Sequence, residues 1–233
     1  MKNEFWLDGV SCYDFGVRPC GLWSFDAPEP EVVKTSVPGR SGDLVQSLGR
    51  FKNVAGRVDC YAADSYSVAA VLAAANGWLL GAAGYRRLET GNDPGHFRLV
   101  RVVSGAACSI RMRIASFSIE ADCKPQLYCK SGEDAVTLTS SGVLVNPEAF
   151  PARPLVRVYG VGTVTVGGYE CRISSASGYT DLDCETMQAY NSGVSCNAKV
   201  WVPEFPVLKP GVNHVMLGSG ITKVEITPRW WTV

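Results

Sequence analysis

The sequence predicts an all-β chain with one short helix. Two observations carry this. Apolar and polar residues alternate with period 2 through most segments that show any period, and clusters of Gly, Ser, Asn and Pro cut the chain into strand-length pieces. Only one stretch repeats at helical spacing. The composition agrees: 46% hydrophobic and 19% charged over 233 residues is that of a globular chain, not a disordered or fibrous one. The length allows one large β domain or two smaller ones.

Near the start, Val37-Pro38-Gly39-Arg40-Ser41-Gly42-Asp43-Leu44 reads as the tip of a hairpin or long β-arm. Proline presets φ near −65° and glycine supplies φ > 0, the signature of a type II turn. Arg40 and Asp43 at this tip stabilise the arm or contact a neighbouring subunit. The helix comes next. Val68, Val71, Leu72, Ala75 and Leu79 form one stripe, Asp64 or Ser65 is placed to cap it, and Gly81 to stop it. Arg98–Val103 and Cys108–Glu120 then read as a hairpin around Ser104-Gly105. Ile110, Met112 and Ile114 share a face before parity passes to Phe117 and Ile119, which predicts a β-bulge near Ala115-Ser116.

The texture changes after Cys123-Lys124-Pro125. Ser131–Asp134 and Ser140–Gly142 read as loops, and Asn146–Pro154 holds three prolines. The domain boundary falls between about 125 and 150. We draw it as domains 1–130 and 131–233, with the last strand packing back on the first domain. The second half predicts a β-sandwich of short strands: Leu155–Tyr159, Thr163–Val166, Tyr169–Ile173, Thr180–Cys184, Ala198–Val202, His214–Leu217 and Ile221–Thr227. In the last of these, Lys223, Glu225, Thr227 and Arg229 face one way, and Val224 and Ile226 the other.

Several function classes drop out. Lys+Arg and Asp+Glu are both 22, so no basic field draws the chain to nucleic acid. No run approaches the roughly 18 apolar residues of a membrane span. Met1–Trp6 has no apolar core, so no secretory signal is expected. Nine cysteines include no Cys-x-x-Cys, and with two His the ligand supply for a metal is poor; reduced, mostly buried thiols are the expectation. The glycines around Gly160-Val161-Gly162 are turns, because strand rather than helix follows and no phosphate cradle forms. Gly39–Gly42 lacks the Lys-Ser/Thr end of a P-loop. Asp181, Asp183 and Glu185 alternate on one strand face and read as a solvated face rather than a catalytic pair. Trp201, Trp230 and Trp231 read as core or interface packing ahead of sugar stacking. No catalytic residue, cofactor site or metal site is expected.

Taken in order, these pieces resemble the distal tail protein family of phages with long non-contractile tails: Phe5-Trp6-Leu7-Asp8-Gly9, Asp14-Phe15-Gly16-Val17, Pro38–Leu44, Phe51-Lys52-Asn53, Cys123–Tyr128, Asn146-Pro147 with Ala152-Arg153-Pro154, Asp183-Cys184-Glu185, Phe205–Asn213 and Pro228–Trp231. The resemblance implies a tail-tube-like N-terminal β-sandwich with a long β-arm and a galectin-like C-terminal β-sandwich. It implies a homo-hexameric ring at the virion tail tip, assembled in the bacterial cytoplasm. That ring would join the tail tube to the tail tip or tail-associated lysin protein and, in some phages, to receptor-binding proteins. DNA would only pass through the channel. Pro38, Gly39, Arg40, Gly42 and Asp43 become the inter-subunit arm. Such a hub is not an enzyme. A departure concerns sugar: binding galectins carry His-x-Asn-Pro-Arg and Trp-Gly-x-Glu strands, whereas here Glu148 follows Asn146-Pro147 and Val202-Pro203 follows Trp201. The alternative readings are a carbohydrate-binding module for host-surface recognition and, third, a hydrolase around Asp183 and Glu185.

Overall fold

The computed structural model describes residues 3–63, 67–105, 109–111 and 113–233. Apart from one α-helix it is built of antiparallel strands. Two compact units divide between Leu127 and Tyr128, with Val233 counted in the first.

The first unit holds β1 (Phe5–Leu7), β2 (Val10–Ser11), β3 (Val17–Pro19), β4 (Ser24–Phe25), β5 (Pro30–Thr35), β6 (Leu44–Phe51), β7 (Val54–Ala63), α1 (Val68–Leu80), β8 (Arg86–Thr90), β9 (Asp93–Ser104), β10 (Ser109–Arg111) and β11 (Ile114–Cys129). Its main sheet runs β2-β1-β8-β9-β11-β7-β3, with β10 against β11 and β4 against β7. β7 shows why these residues make a half-buried strand: Val54, Gly56, Val58, Cys60 and Ala62 point inward, and the residues between them are exposed. Ala115, Phe117, Ile119, Ala121 and Cys123 of β11 continue that inner face, and Val68, Leu72, Ala75 and Leu79 of α1 pack on it. Each of the larger apolar side chains contributes about 1.5–3 kcal/mol by leaving water.

Two local expectations change here. Ser67 caps the helix, its Oγ accepting from the Ala70 amide at 3.3 Å; Asp64 and Ser65 lie outside the described residues. No bulge interrupts β11 near Ala115-Ser116: its register with β7 is unbroken from Ile114↔Ala63 to Cys123↔Val54. The parity change has another cause. Ile110 belongs to β10, which pairs back on β11 as Arg111↔Ile114 and Ile110↔Ala115, so Ile110 shares a face with Ala115 across that antiparallel pair. Met112 lies outside the described residues.

The second unit holds β12 (Val136–Leu138), β13 (Gly142–Asn146), β14 (Leu155–Gly160), β15 (Gly162–Val166), β16 (Tyr169–Ile173), β17 (Tyr179–Asp183), β18 (Gln188–Asn191), β19 (Val194–Ser195), β20 (Val200–Trp201), β21 (Gly211–Leu217) and β22 (Ile221–Thr227). One sheet runs β12-β22-β14-β17-β18-β19 and the other β13-β21-β15-β16-β20. Val156, Val158, Leu182, Val224 and Ile226 of the first meet Leu144, Val164, Val166, Cys171, Ile173 and Val215 of the second in one buried core. That is a two-sheet sandwich. The segment after Ser140-Ser141, read as loop, becomes strand β13 from Gly142 on. Ala198–Val202 shrinks to two strand residues because Asn197–Lys199 is a 3-10 turn. The proline-rich stretch is a loop inside this unit: buried Asn146 donates to the Phe150 and Leu208 carbonyls and accepts from the Glu148 amide. At Gly160, φ is +109° and a Cβ would meet the Gly220 carbonyl oxygen at 2.1 Å, so this glycine lets two turns touch.

Candidate assembly surface

The Pro-Gly-Arg tip sits where the turn chemistry puts it. Gly39 has φ +80° and the Arg40 amide donates to the Val37 carbonyl at 3.1 Å, closing the type II turn. β5 and β6 flank it, paired as Thr35↔Leu44, Lys34↔Val45, Val33↔Gln46 and Val32↔Ser47. A register shift follows between Pro30 and Val32, opposite the segment that holds Gly49 at φ +71°. The base is held by ion pairs of Arg50 with Glu31 and of Lys52 with Glu29.

This hairpin joins no other sheet. Residues 33–50 are exposed without a break, on both faces. Among them are apolar side chains that a free surface strand has no reason to carry: Val33 (46% exposed), Val37 (39%), Leu44 (53%), Val45 (57%) and Leu48 (49%). A two-stranded hairpin in water is marginal at best, and its unpaired edges and bare apolar residues call for a partner surface. The structure therefore brings Pro38, Gly39, Arg40, Gly42 and Asp43 together at one exposed turn. The sequence reading missed the apolar residues of the two strands behind that turn. A signal was present: Leu44-Val45-Gln46-Ser47-Leu48 alternates too poorly to have one core face.

The carboxylates of β17 correct an expectation. Asp181 and Asp183 are not a solvated face; they are 3% and 9% exposed. Arg157 grips Asp181 with two bonds of 2.7 and 2.9 Å from the neighbouring strand. Arg229 holds Asp183 at 2.7 Å and reaches Glu185 at 3.6 Å. Burial works against ionisation of Asp183, but the Arg229 guanidinium and the backbone amides of Glu185 and Thr186 prevail and keep its pKa below the ordinary carboxylate value. Each acid is neutralised by its own arginine, the arrangement of a structural pair rather than of a proton donor.

Aromatic residues on the same sheet are likewise engaged. The Arg157 guanidinium lies 4.3 Å from the Tyr179 ring centroid, and Lys223 Nζ lies 4.1 Å from that of Tyr159. A cation thus covers one face of each ring. Trp230 is buried as expected, and Trp231 stacks on Phe150 at 4.7 Å. Trp201 departs from core packing: it is 51% exposed, with Arg172 over its ring at 4.6 Å. Among the described residues no group of His, Cys, Asp and Glu could hold a metal ion. The eight described cysteines are unbridged, and seven of them are buried.

An all-β chain of two compact units, with one hairpin outside the larger sheets, is a form also found among solved structures. The chain is similar to the crystal structure of the SPP1 Dit (gp 19.1) protein, presented there as a paradigm of the hub adsorption apparatus in phages infecting Gram-positive bacteria. The match has a TM-score of 0.64 at 14% identity and covers 100% of both chains. No protein-family model matches the chain, and no curated protein matches it.

Proposed function

We propose that this chain is a distal tail hub protein of a phage, a structural subunit that works by assembly and not by catalysis. Six copies close a head-to-tail ring. The hairpin of each copy lies on its neighbour, covering Leu44, Val45 and Leu48, while Arg40 and Asp43 add polar contacts that fix its direction. The first unit forms the ring and the second, a galectin-like sandwich, sits outside it. The ring stands at the virion tail tip, between tail tube and tip or lysin protein, and offers side positions for receptor-binding proteins. DNA passes through its centre. Assembly takes place in the host cytoplasm, where thiols stay reduced.

The observation that carries this reading is the hairpin, exposed on both faces from residue 33 to 50. Whole-length similarity to a hub of known structure supports it. Sedimentation velocity and negative-stain imaging of the purified chain, alone and with its tail-tube protein, test it. Rings of about six subunits are expected. A chain that stays monomeric in both settings, or that assembles equally well without residues 36–43, overturns it.

A further inference from the structure

The second unit leaves one sheet edge open. β13 ends the sheet β13-β21-β15-β16-β20, and among the described residues its one strand partner is β21. In an antiparallel edge strand every second residue turns its N–H and C=O away from the sheet. Natural edges are blunted by lysine, proline, a bulge or shortness. β13 has five residues, no Lys or Pro, and an unbroken register from Gly142↔Val215 to Asn146↔Gly211. The opposite edge differs: β20 is two residues long, and Arg172 lies over its Trp201.

The outward face beside the β13 edge is apolar. Leu144 and Asn146 are buried, and Val143 and Val145 alternate with them toward solvent, 48% and 59% exposed. Across the ladder Val145 stands opposite Val212 (62%) and Val143 opposite His214; Met216 (54%) follows on the same face. Neither strand contains Asp, Glu, Lys or Arg. Scattered exposed apolar residues are ordinary on a surface, but four on two paired strands form a patch.

The size and charge of this patch decide its occupant. Fully burying one such side chain removes roughly 60–120 Å² of apolar surface, so the four half-exposed ones would bury about 120–240 Å² per copy. A stable interface takes ~800 Å² from each partner. For two folded copies that touch only here, that is too little. A single extended segment needs less, because main-chain hydrogen bonds along the edge supply affinity and alternate side chains supply the fit. The absence of charge on both strands excludes an acidic or basic segment, which would lose hydration and gain no counter-charge.

We infer that β13 accepts an extended segment of a partner protein, uncharged and apolar at every second residue, as a sixth strand of this sheet. The inference does not depend on ring formation, since the hairpin belongs to the first unit.

The test is hydrogen exchange of the full chain, read by mass spectrometry over residues 142–146. The probes are three capped peptides: Gly-Thr-Val-Thr-Val-Thr-Gly, the same with Pro for the central Thr, and the same with Lys for both Val. At about 10 mM the first should slow exchange of the outward β13 amides about tenfold, as for a Kd of about 1 mM. The proline peptide, which interrupts the ladder, and the lysine peptide, which brings unmatched charge, should slow it by about twofold at most. Val143→Ser combined with Val145→Ser should weaken binding of the first peptide about tenfold and leave the urea midpoint in place, both positions being exposed. Should that variant fail to fold, the proline and lysine peptides decide the matter on the unaltered chain. No slowing, equal slowing by the proline peptide, or unchanged binding in the double variant overturns the inference. So does slowing that needs no peptide and grows with protein concentration, which would give the edge to a second copy.

Discussion

Replacing Leu44 and Leu48 with serine tests the proposed ring separately from the protomer's own stability. Leu44, Val45 and Leu48 are 53%, 57% and 49% exposed, and Val33 and Val37 are 46% and 39% exposed. Fully burying such a side chain is worth about 1.5–3 kcal/mol, so covering the exposed half of all five gives roughly 4–7 kcal/mol per hairpin before the cost of association. The two leucines account for about 1.5–3 kcal/mol of that at each contact. In a ring the loss recurs at every interface. The protomer loses almost nothing, because exposed substitutions usually stay within about 0.5 kcal/mol. Sedimentation velocity should therefore show the ring dissociating at concentrations where the unaltered chain remains closed, while urea denaturation shows an unchanged midpoint. A midpoint that falls by more than about 1 kcal/mol in stability would mean that the hairpin packs on its own protomer. Intact rings in the double variant would mean that these leucines are not the contact.

Three further outcomes test the packing. Asp183, like Asp8 held by Arg86, has a folded-state pKa below its ordinary value. The stability each adds is present above the unfolded pKa of about 3.9 and is lost as pH falls through the folded value; urea midpoints should hold from pH 7 to about 5 and drop below about 4, with a smaller drop in Asp183→Asn. In a Cys108→Ser background, Ellman's reagent at pH 8 should titrate one thiol, exposed Cys20, and the remainder only on unfolding. Burial supports this by pushing the Cys123 and Cys171 thiols up to about 12. Gly160→Ala should lower stability by about 2 kcal/mol or more, read from the denaturant midpoint, since its methyl would sit 2.1 Å from the Gly220 oxygen; an unchanged midpoint would show that the two turns can part freely.

The fold class was legible because most of its strands carry their own period. Tyr169–Ile173 and Ile221–Thr227 could be read directly, since the inward face of each is free of charged residues and turn residues bound it. The failures share a physical cause. β12 and β13 are short edge pieces in Ser/Gly-rich sequence, and pairing with β22 and β21 makes them strands. β18 likewise depends on β17 for its partner, and β19 on β18. The antiparallel pairing of β10 with β11 looked like a bulge because either one puts residues of opposite parity on one face. Asp181 and Asp183 looked solvated because alternation reports which residues share a face, not what covers that face. The arginines that cover them, Arg157 and Arg229, lie 24 and 46 positions away in sequence.

The hairpin presents the reverse case, where local chemistry was read correctly and its meaning lay elsewhere. Val37-Pro38-Gly39-Arg40 encodes a turn in any setting. What gives it consequence is that the strands behind it bury nothing from residue 33 to 50. An 18-residue segment that orders itself without a core spends conformational entropy on the order of 1–2 kcal/mol per residue, and its cross-strand pairs return only about 0.2–1 kcal/mol each. The shortfall has to be met from outside the protomer. On the proposed reading a neighbouring copy would supply that surface, because one hairpin and one acceptor face per chain would satisfy every copy once a ring closed.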